Sequence, residues 1–262
     1  MWTISDMVFA PLYLLQARKL KQDTVRLPEA EGERGGVVTL NPSSKKANLS
    51  LMMVGDSSAC GVGVTYQDDA LIGQVLVNLQ TDAGLSQQFA GIDWQLHATT
   101  GHTSFDVLRR LYVLPKPSDP IDVMVIVVGV NDVTISTPMD VWQNNLSKIL
   151  AIAHRKFGVK HLFFTALPPM ALFPALPKPL NAFVGKKSDV YDDALQTFCQ
   201  NNDVYYVSAD FLTHAESLRQ PIADGFASDG FHPNATAYAL WGKHLAHIIA
   251  TTLSLDNELQ VY

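Results

Sequence analysis

Six consecutive residues, Val123-Met124-Val125-Ile126-Val127-Val128, are apolar without interruption. A half-buried strand alternates apolar with polar side chains, so a run that does not alternate belongs to a strand covered on both faces, as in a parallel sheet between helices. The flanking sequence agrees. Short β-branched or apolar runs at residues 49–54, 92–98, 121–128, 161–166 and 204–208 read as strands. Longer amphipathic stretches at 69–83, 104–112, 138–156, 188–201 and 235–253 read as helices. Strands alternating with helices imply right-handed crossovers, an α/β fold, and a site in the loops beyond the carboxyl ends of the strands. A chain of 262 residues, 47% hydrophobic, is expected to bury one core of this kind.

The main domain is expected over residues 47–262, with an apolar helix and a linker at 1–46. Residues 23–48 are rich in charge, Gly and Pro, which marks the linker. Ahead of it, residues 7–15 are apolar and are followed by Arg18, Lys19 and Lys21. This run is too short to span a bilayer. Its charge order, Asp6 before and bases after, is the reverse of a secretory signal. Residues 7–17 are therefore expected to pack as a helix on the domain or to lie at a membrane surface. The formal net charge of -6, with no cluster of Lys and Arg, excludes a nucleic-acid partner from the expectation. Two cysteines, Cys60 and Cys199, are too few for a disulfide framework and fit a reducing cytoplasm. No Cys/His spacing suits zinc, and no metal or cofactor is expected.

Chemistry-bearing residues fall where the sheet rule places them. The first strand of the domain runs into Gly55-Asp56-Ser57, the second into Gly101-His102-Thr103-Ser104, and the third into Gly129-Val130-Asn131-Asp132. Near the carboxyl terminus, Asp229-Gly230-Phe231-His232 puts a carboxylate three residues before an imidazole. Acyl transfer to a serine needs a base to take its proton, a carboxylate to hold that base in one tautomer, and fixed donors for the oxyanion. Each motif alone is weak. Gly-Asp-Ser is commonly a turn, Asn-Asp commonly a cap, and Gly61-x-Gly63 lacks the third glycine of a dinucleotide loop. His97 and His102 have no Asp at the matching spacing and read as structural hydrogen-bonding residues, while Cys60 reads as packing.

Together and in this order, the four blocks resemble those of the SGNH (GDSL-type) hydrolases, over roughly residues 49–253. The resemblance implies a three-layer α/β/α sandwich with a parallel five-stranded, flavodoxin-like sheet. It also implies Ser57 as nucleophile, His232 as general base and acid, Asp229 as its orienting carboxylate, and an oxyanion hole from the Ser57 and Gly101 N–H groups and the Asn131 side chain. Ser58 stands where the family name has leucine, and Ala98-Thr99-Thr100 precedes Gly101 where an Asn is frequent. The implied activity is hydrolysis of carboxylic esters, of lipase, esterase or lysophospholipase type. Acyl thioesterase and carbohydrate acetylesterase share the blocks, and a non-catalytic binding protein is the rival of a different class.

Residues 167–184 follow the fourth strand and are apolar and proline-rich. The prolines forbid a regular helix between Pro169 and Pro179. Met170, Leu172, Phe173, Leu176 and Phe183 are expected to line a pocket for the acyl chain of a small ester substrate or to form a membrane-facing lid.

Overall fold

The computed structural model describes residues 4–209 and 225–259. Its elements are α1 (Ile4–Asp23), β1 (Gly35–Thr39), β2 (Leu49–Gly55), α2 (Leu71–Gln80), α3 (Ala83–Gln88), β3 (Gly91–Ala98), α4 (Ser104–Val113), β4 (Val123–Val127), α5 (Val130–Ile135), α6 (Met139–Phe157), β5 (His161–Thr165), α7 (Leu180–Asn201), β6 (Tyr205–Val207) and α8 (Ala235–Leu259). The sheet order is β1-β3-β2-β4-β5-β6. Five strands are parallel, and β1 joins antiparallel to β3 with Gly35 opposite Gln95.

The central strand explains its own composition. Val123, Val125 and Val127 join the core against α2 and α8, while Met124 and Ile126 join the core against α4, α6 and α7. Successive side chains point to opposite faces, and each face carries a layer of helices. The sheet face beneath α6 is closed by Trp142, Leu146, Ile149, Ala153 and Phe157, which recur at helical spacing and are buried.

Four differences from the sequence-based expectation have local causes. β1 lies inside the stretch expected as linker; a glycine-rich strand of five residues on a sheet edge carries little periodicity. The expected helix at 69–83 is broken, because Asp82 accepts a hydrogen bond from the Leu85 N–H and caps a new helix, α3. α5 is only six residues long, too short for a period to show. α7 begins at Leu180, eight residues earlier than expected, directly after Pro179, whose missing N–H costs nothing at a helix start. Phe183 is therefore helical rather than part of a loop.

Among the described residues no helix is long and apolar enough to cross a membrane. α1 rests on α7 through Tyr13, whose ring stacks on Phe183 with centroids 4.7 Å apart.

Trp142 is fully buried, 5.1 Å from the Tyr191 ring. Trp142→Ala is expected to lower unfolding stability by about 3–5 kcal/mol in urea titration. A loss under about 1 kcal/mol would show that α6 does not close this face as described.

Candidate active site

Ser57 follows β2 by two residues. The Asp56 N–H still donates to the Val127 carbonyl of β4, and the chain then turns, with the Val62 N–H donating to the Ser57 carbonyl. Ser58 N–H donates to Asp56 Oδ1 at 3.0 Å. This tight turn lifts Ser57 off the end of the sheet.

His232 approaches from the segment before α8. Its loop is pinned by Ala227 N–H to the His232 carbonyl and Asn234 N–H to the Gly225 carbonyl, and Asn234 Oδ1 accepts from the Ala237 N–H at the start of α8. The loop also presses on the serine turn: a Cβ at Gly63, where φ is +110°, would lie 2.1 Å from the Pro233 carbonyl oxygen. Only glycine permits that approach.

The two segments meet in a continuous hydrogen-bond chain. His232 Nε2 lies 2.9 Å from Ser57 Oγ, and His232 Nδ1 lies 2.6 Å from Asp229 Oδ2. Asp229 Oδ1 accepts the N–H groups of Phe231 and His232 at 2.9 and 3.0 Å. Burial alone would raise the Asp229 pKa. The hydrogen bonds from the His232 ring and from these two N–H groups outweigh it and hold the carboxyl below its ordinary value. An ionised Asp229 only accepts, so Nδ1 carries the proton and the Nε2 lone pair faces the serine hydroxyl.

The other two blocks converge on the same end of the sheet. Asn131 Nδ2 donates to the His102 carbonyl at 2.9 Å and lies 3.5 Å from Asp56 Oδ2. Beside it the buried Asp132 accepts both Ser104 N–H at 2.8 Å and Ser104 Oγ at 2.7 Å, tying the start of α4 to α5. Gly101 sits in the intervening loop with φ +83°, and a Cβ there would meet nothing within 4 Å, so it is the backbone conformation that favours glycine. The N–H groups of Ser57 and Gly101 donate to no other described residue.

No pattern in the sequence marks the residues that hold that loop. Glu29, from the expected linker, accepts Thr100 N–H at 2.7 Å and pairs with Arg34, whose Nη1 donates to the Ala98 carbonyl at 2.8 Å. Burial raises the Glu29 pKa, but the Thr100 and Arg34 hydrogen bonds bring it down to about 2. His97 contacts Gln95 Oε1, and burial lowers the pKa of both His97 and His102. Burial pushes the Cys60 thiol up to about 12, which leaves it an unreactive, packed side chain.

A cavity of about 240 Å³ opens beside the hydrogen-bond chain, and Ser57, Asn131 and His232 all line it. Of the five pocket residues expected from residues 167–184, Phe173 lines it. Met170 and Leu176 are buried in the core, Leu172 is exposed, and Phe183 stacks on Tyr13. Leu167, Phe226, Phe231, Leu240 and Trp241 supply much of the apolar wall, and Thr134, Thr165, Ser208 and Thr236 add hydroxyls to it. Phe173 meets Phe226 and Phe231 edge-on at 5.4 and 6.1 Å. Ala237, Leu240 and Trp241 have the i, i+3, i+4 spacing of one helix face, the one signal by which the α8 wall was legible.

Among the described residues no group of three or more His, Cys, Asp or Glu is arranged to hold a metal ion. One buried acid is unusual: burial, with the nearby Asp132 adding to it, raises Asp56 from 3.8 to about 7. Between those values the folded protein holds a proton that the unfolded chain has released, so this group makes stability fall as pH rises from about 4 to 7. Asp56→Asn removes that slope. Urea midpoints are expected to shift in favour of the variant, relative to the parent, between pH 5 and pH 8; a pH-independent difference would contradict the raised pKa.

The fold has clear relatives. A family model described as the GDSL-like Lipase/Acylhydrolase family matches residues 53–240. Among solved structures, the psychrotrophic esterase EstA from Pseudoalteromonas sp. superposes with a TM-score of 0.58 at 18% identity, over 79% of this chain and 99% of that one. A lipolytic protein of the G-D-S-L family from Veillonella parvula gives 0.57 at 15% identity, over 76% and 97% of the two chains. The acetylxylan esterase Axe2 from Geobacillus stearothermophilus gives 0.56 at 16% identity, over 77% and 94%. These likenesses bear on the fold, and no protein of curated function matches the sequence. The family match covers most of the chain and all four blocks fall within it: the chain belongs to the GDSL-like lipase/acylhydrolase family.

Proposed function

We propose that this hydrolase cleaves carboxylic esters with an apolar acyl chain, through an acyl-enzyme on Ser57. The observation that carries the reading is the chain Ser57–His232–Asp229 standing at the edge of a predominantly apolar cavity whose walls include Phe173, Phe226, Phe231, Leu240 and Trp241. In the first step Ser57 Oγ attacks the ester carbonyl while its proton passes to His232 Nε2, and the imidazolium is stabilised by Asp229. The oxyanion takes the N–H groups of Ser57 and Gly101 and the Asn131 amide proton on the Asp56 side, which the 3.5 Å contact holds only weakly. Collapse expels the alcohol, which receives the proton from His232. A water then attacks the acyl-enzyme, giving its proton to His232, and the carboxylic acid leaves as Ser57 recovers its own.

The predominantly apolar walls favour an acyl chain over an acetylated sugar, because a sugar's many hydroxyls need more hydrogen-bond partners than the few that Thr134, Thr165, Ser208 and Thr236 offer. A cavity of about 240 Å³ leaves room for an acyl chain longer than acetyl. The unpaired, buried thiols Cys60 and Cys199 support a cytoplasmic setting. Peripheral membrane contact through residues 7–17 is part of the same proposal, supported by the exposure of Met7, Val8, Leu14 and Leu15.

A fluorophosphonate probe is expected to label Ser57, and Ser57→Ala to lose both labelling and at least about 10³-fold in kcat. Folded protein that labels elsewhere or not at all would overturn the catalytic reading. With p-nitrophenyl esters, kcat/KM is expected to rise from acetate to about octanoate and then fall. Trp241→Ala is expected to move that optimum to longer chains; a best substrate of acetate would contradict the acyl-chain assignment.

A further inference from the structure

One face of α1 holds the domain and the opposite face is exposed. Tyr13 is buried against Phe183, and Gln16 donates to the Lys178 carbonyl at 2.8 Å while accepting the Leu180 N–H at 3.3 Å. Across the helix, Met7, Val8, Leu14 and Leu15 are each at least 61% exposed, with Leu12 at 39%. With Phe9, six exposed apolar side chains stand on three turns, which is not the scattered apolar surface of a monomer.

Charge is distributed along the axis of this helix as well as around it. Residues 7–17 carry no charge, and Arg18, Lys19 and Lys21 follow within four positions. All three cations are exposed and form no ion pair with a described residue, although the chain as a whole is formally -6. A protein interface surrounds an apolar centre with a polar rim on every side. Apolar turns followed by one basic turn instead match a layered partner, hydrocarbon beneath and phosphate above. Eleven uncharged residues rise about 16 Å as helix, too short to span a bilayer and long enough to enter its interface obliquely.

We propose that α1 docks on an anionic lipid surface, with Met7, Val8, Leu12, Leu14 and Leu15 inserted among the acyl chains and Arg18, Lys19 and Lys21 on the headgroup phosphates. This rests on the membrane contact proposed above and narrows it to one orientation and one lipid charge. Gln16 and Tyr13 couple the docked helix to residues 178–183, which follow the segment contributing Leu167 and Phe173 to the cavity. Binding through α1 thus holds the cavity wall close to a phase in which apolar esters dissolve.

Co-sedimentation of the full chain with vesicles tests it, using phosphatidylcholine alone or mixed with phosphatidylglycerol. The chain is expected to sediment with the mixed vesicles and not the neutral ones. Arg18→Gln/Lys19→Gln/Lys21→Gln is expected to weaken binding about 100-fold, and Leu14→Glu/Leu15→Glu to abolish it. Both variants keep hydrolysis of a soluble p-nitrophenyl ester. Equal binding to neutral vesicles would overturn the anionic surface and leave membrane contact standing; binding to neither would overturn both. A dimer that Leu14→Glu/Leu15→Glu dissolves would assign the face to a second copy. A chain that binds anionic vesicles but hydrolyses no ester would leave this inference intact and overturn the catalytic one.

Discussion

Strands β2 and β4 lie side by side in parallel, with Gly55 opposite Val127, so both chains leave the sheet at the same edge. The turn after β2 carries Ser57, and α5 after β4 carries Asn131. Parallel pairing brings residues 74 positions apart into one crevice without any special contact between them, and it requires helices on both faces of the sheet. The remaining architecture serves that edge. α4 is capped by the reciprocal Thr103–Asp106 box and held to α5 by Ser104 and Asp132, which fixes the loop containing Gly101. Asp229 and His232 come from outside the strand ends, on the segment before α8, and the Gly63–Pro233 contact holds that segment against the serine turn.

The electrostatics of the site treat two nearby carboxyls in opposite ways. Asp229 is given two backbone N–H groups and the His232 ring, so it stays ionised despite burial. Asp56 has one backbone N–H, a long contact to Asn131 and another acid nearby, so burial prevails and its pKa rises to about 7. The first arrangement suits an acid that must carry charge beside a forming imidazolium. The second suits a buried group that accepts from Asn131 while carrying less negative charge near the proposed oxyanion than an ordinary carboxylate would.

Much of this was legible in the amino acids because it depends on local chemistry. The unbroken apolar run at 123–128 announced a strand covered on both faces, and three short blocks at strand ends, with a fourth near the carboxyl terminus, pointed to the candidate site. The walls of the cavity were harder to read. Phe226, Phe231, Leu240 and Trp241 lie far along the chain from the segment at 167–184 that looked like a pocket, and only closure of the fold brings them to it. Phe183 misled because its apolar, proline-rich neighbourhood resembles a loop, whereas Pro179 starts a helix and directs that ring to Tyr13. β1 escaped notice because pairing with β3, rather than its own side chains, makes it a strand. Glu29 and Arg34, in the same linker-like stretch, had no pattern to mark them; their partners are backbone groups around the Gly101 loop.

A serine turn, an imidazole in a fixed tautomer, free N–H donors and an apolar cavity form one arrangement for acyl transfer, and the central claim is that Ser57 carries the acyl group. Intact-mass spectrometry of acid-quenched protein within the first turnovers of p-nitrophenyl octanoate tests it most directly. The account predicts an octanoyl adduct that maps to Ser57. Steady hydrolysis of the ester with no adduct, or with the adduct on another residue, would contradict it.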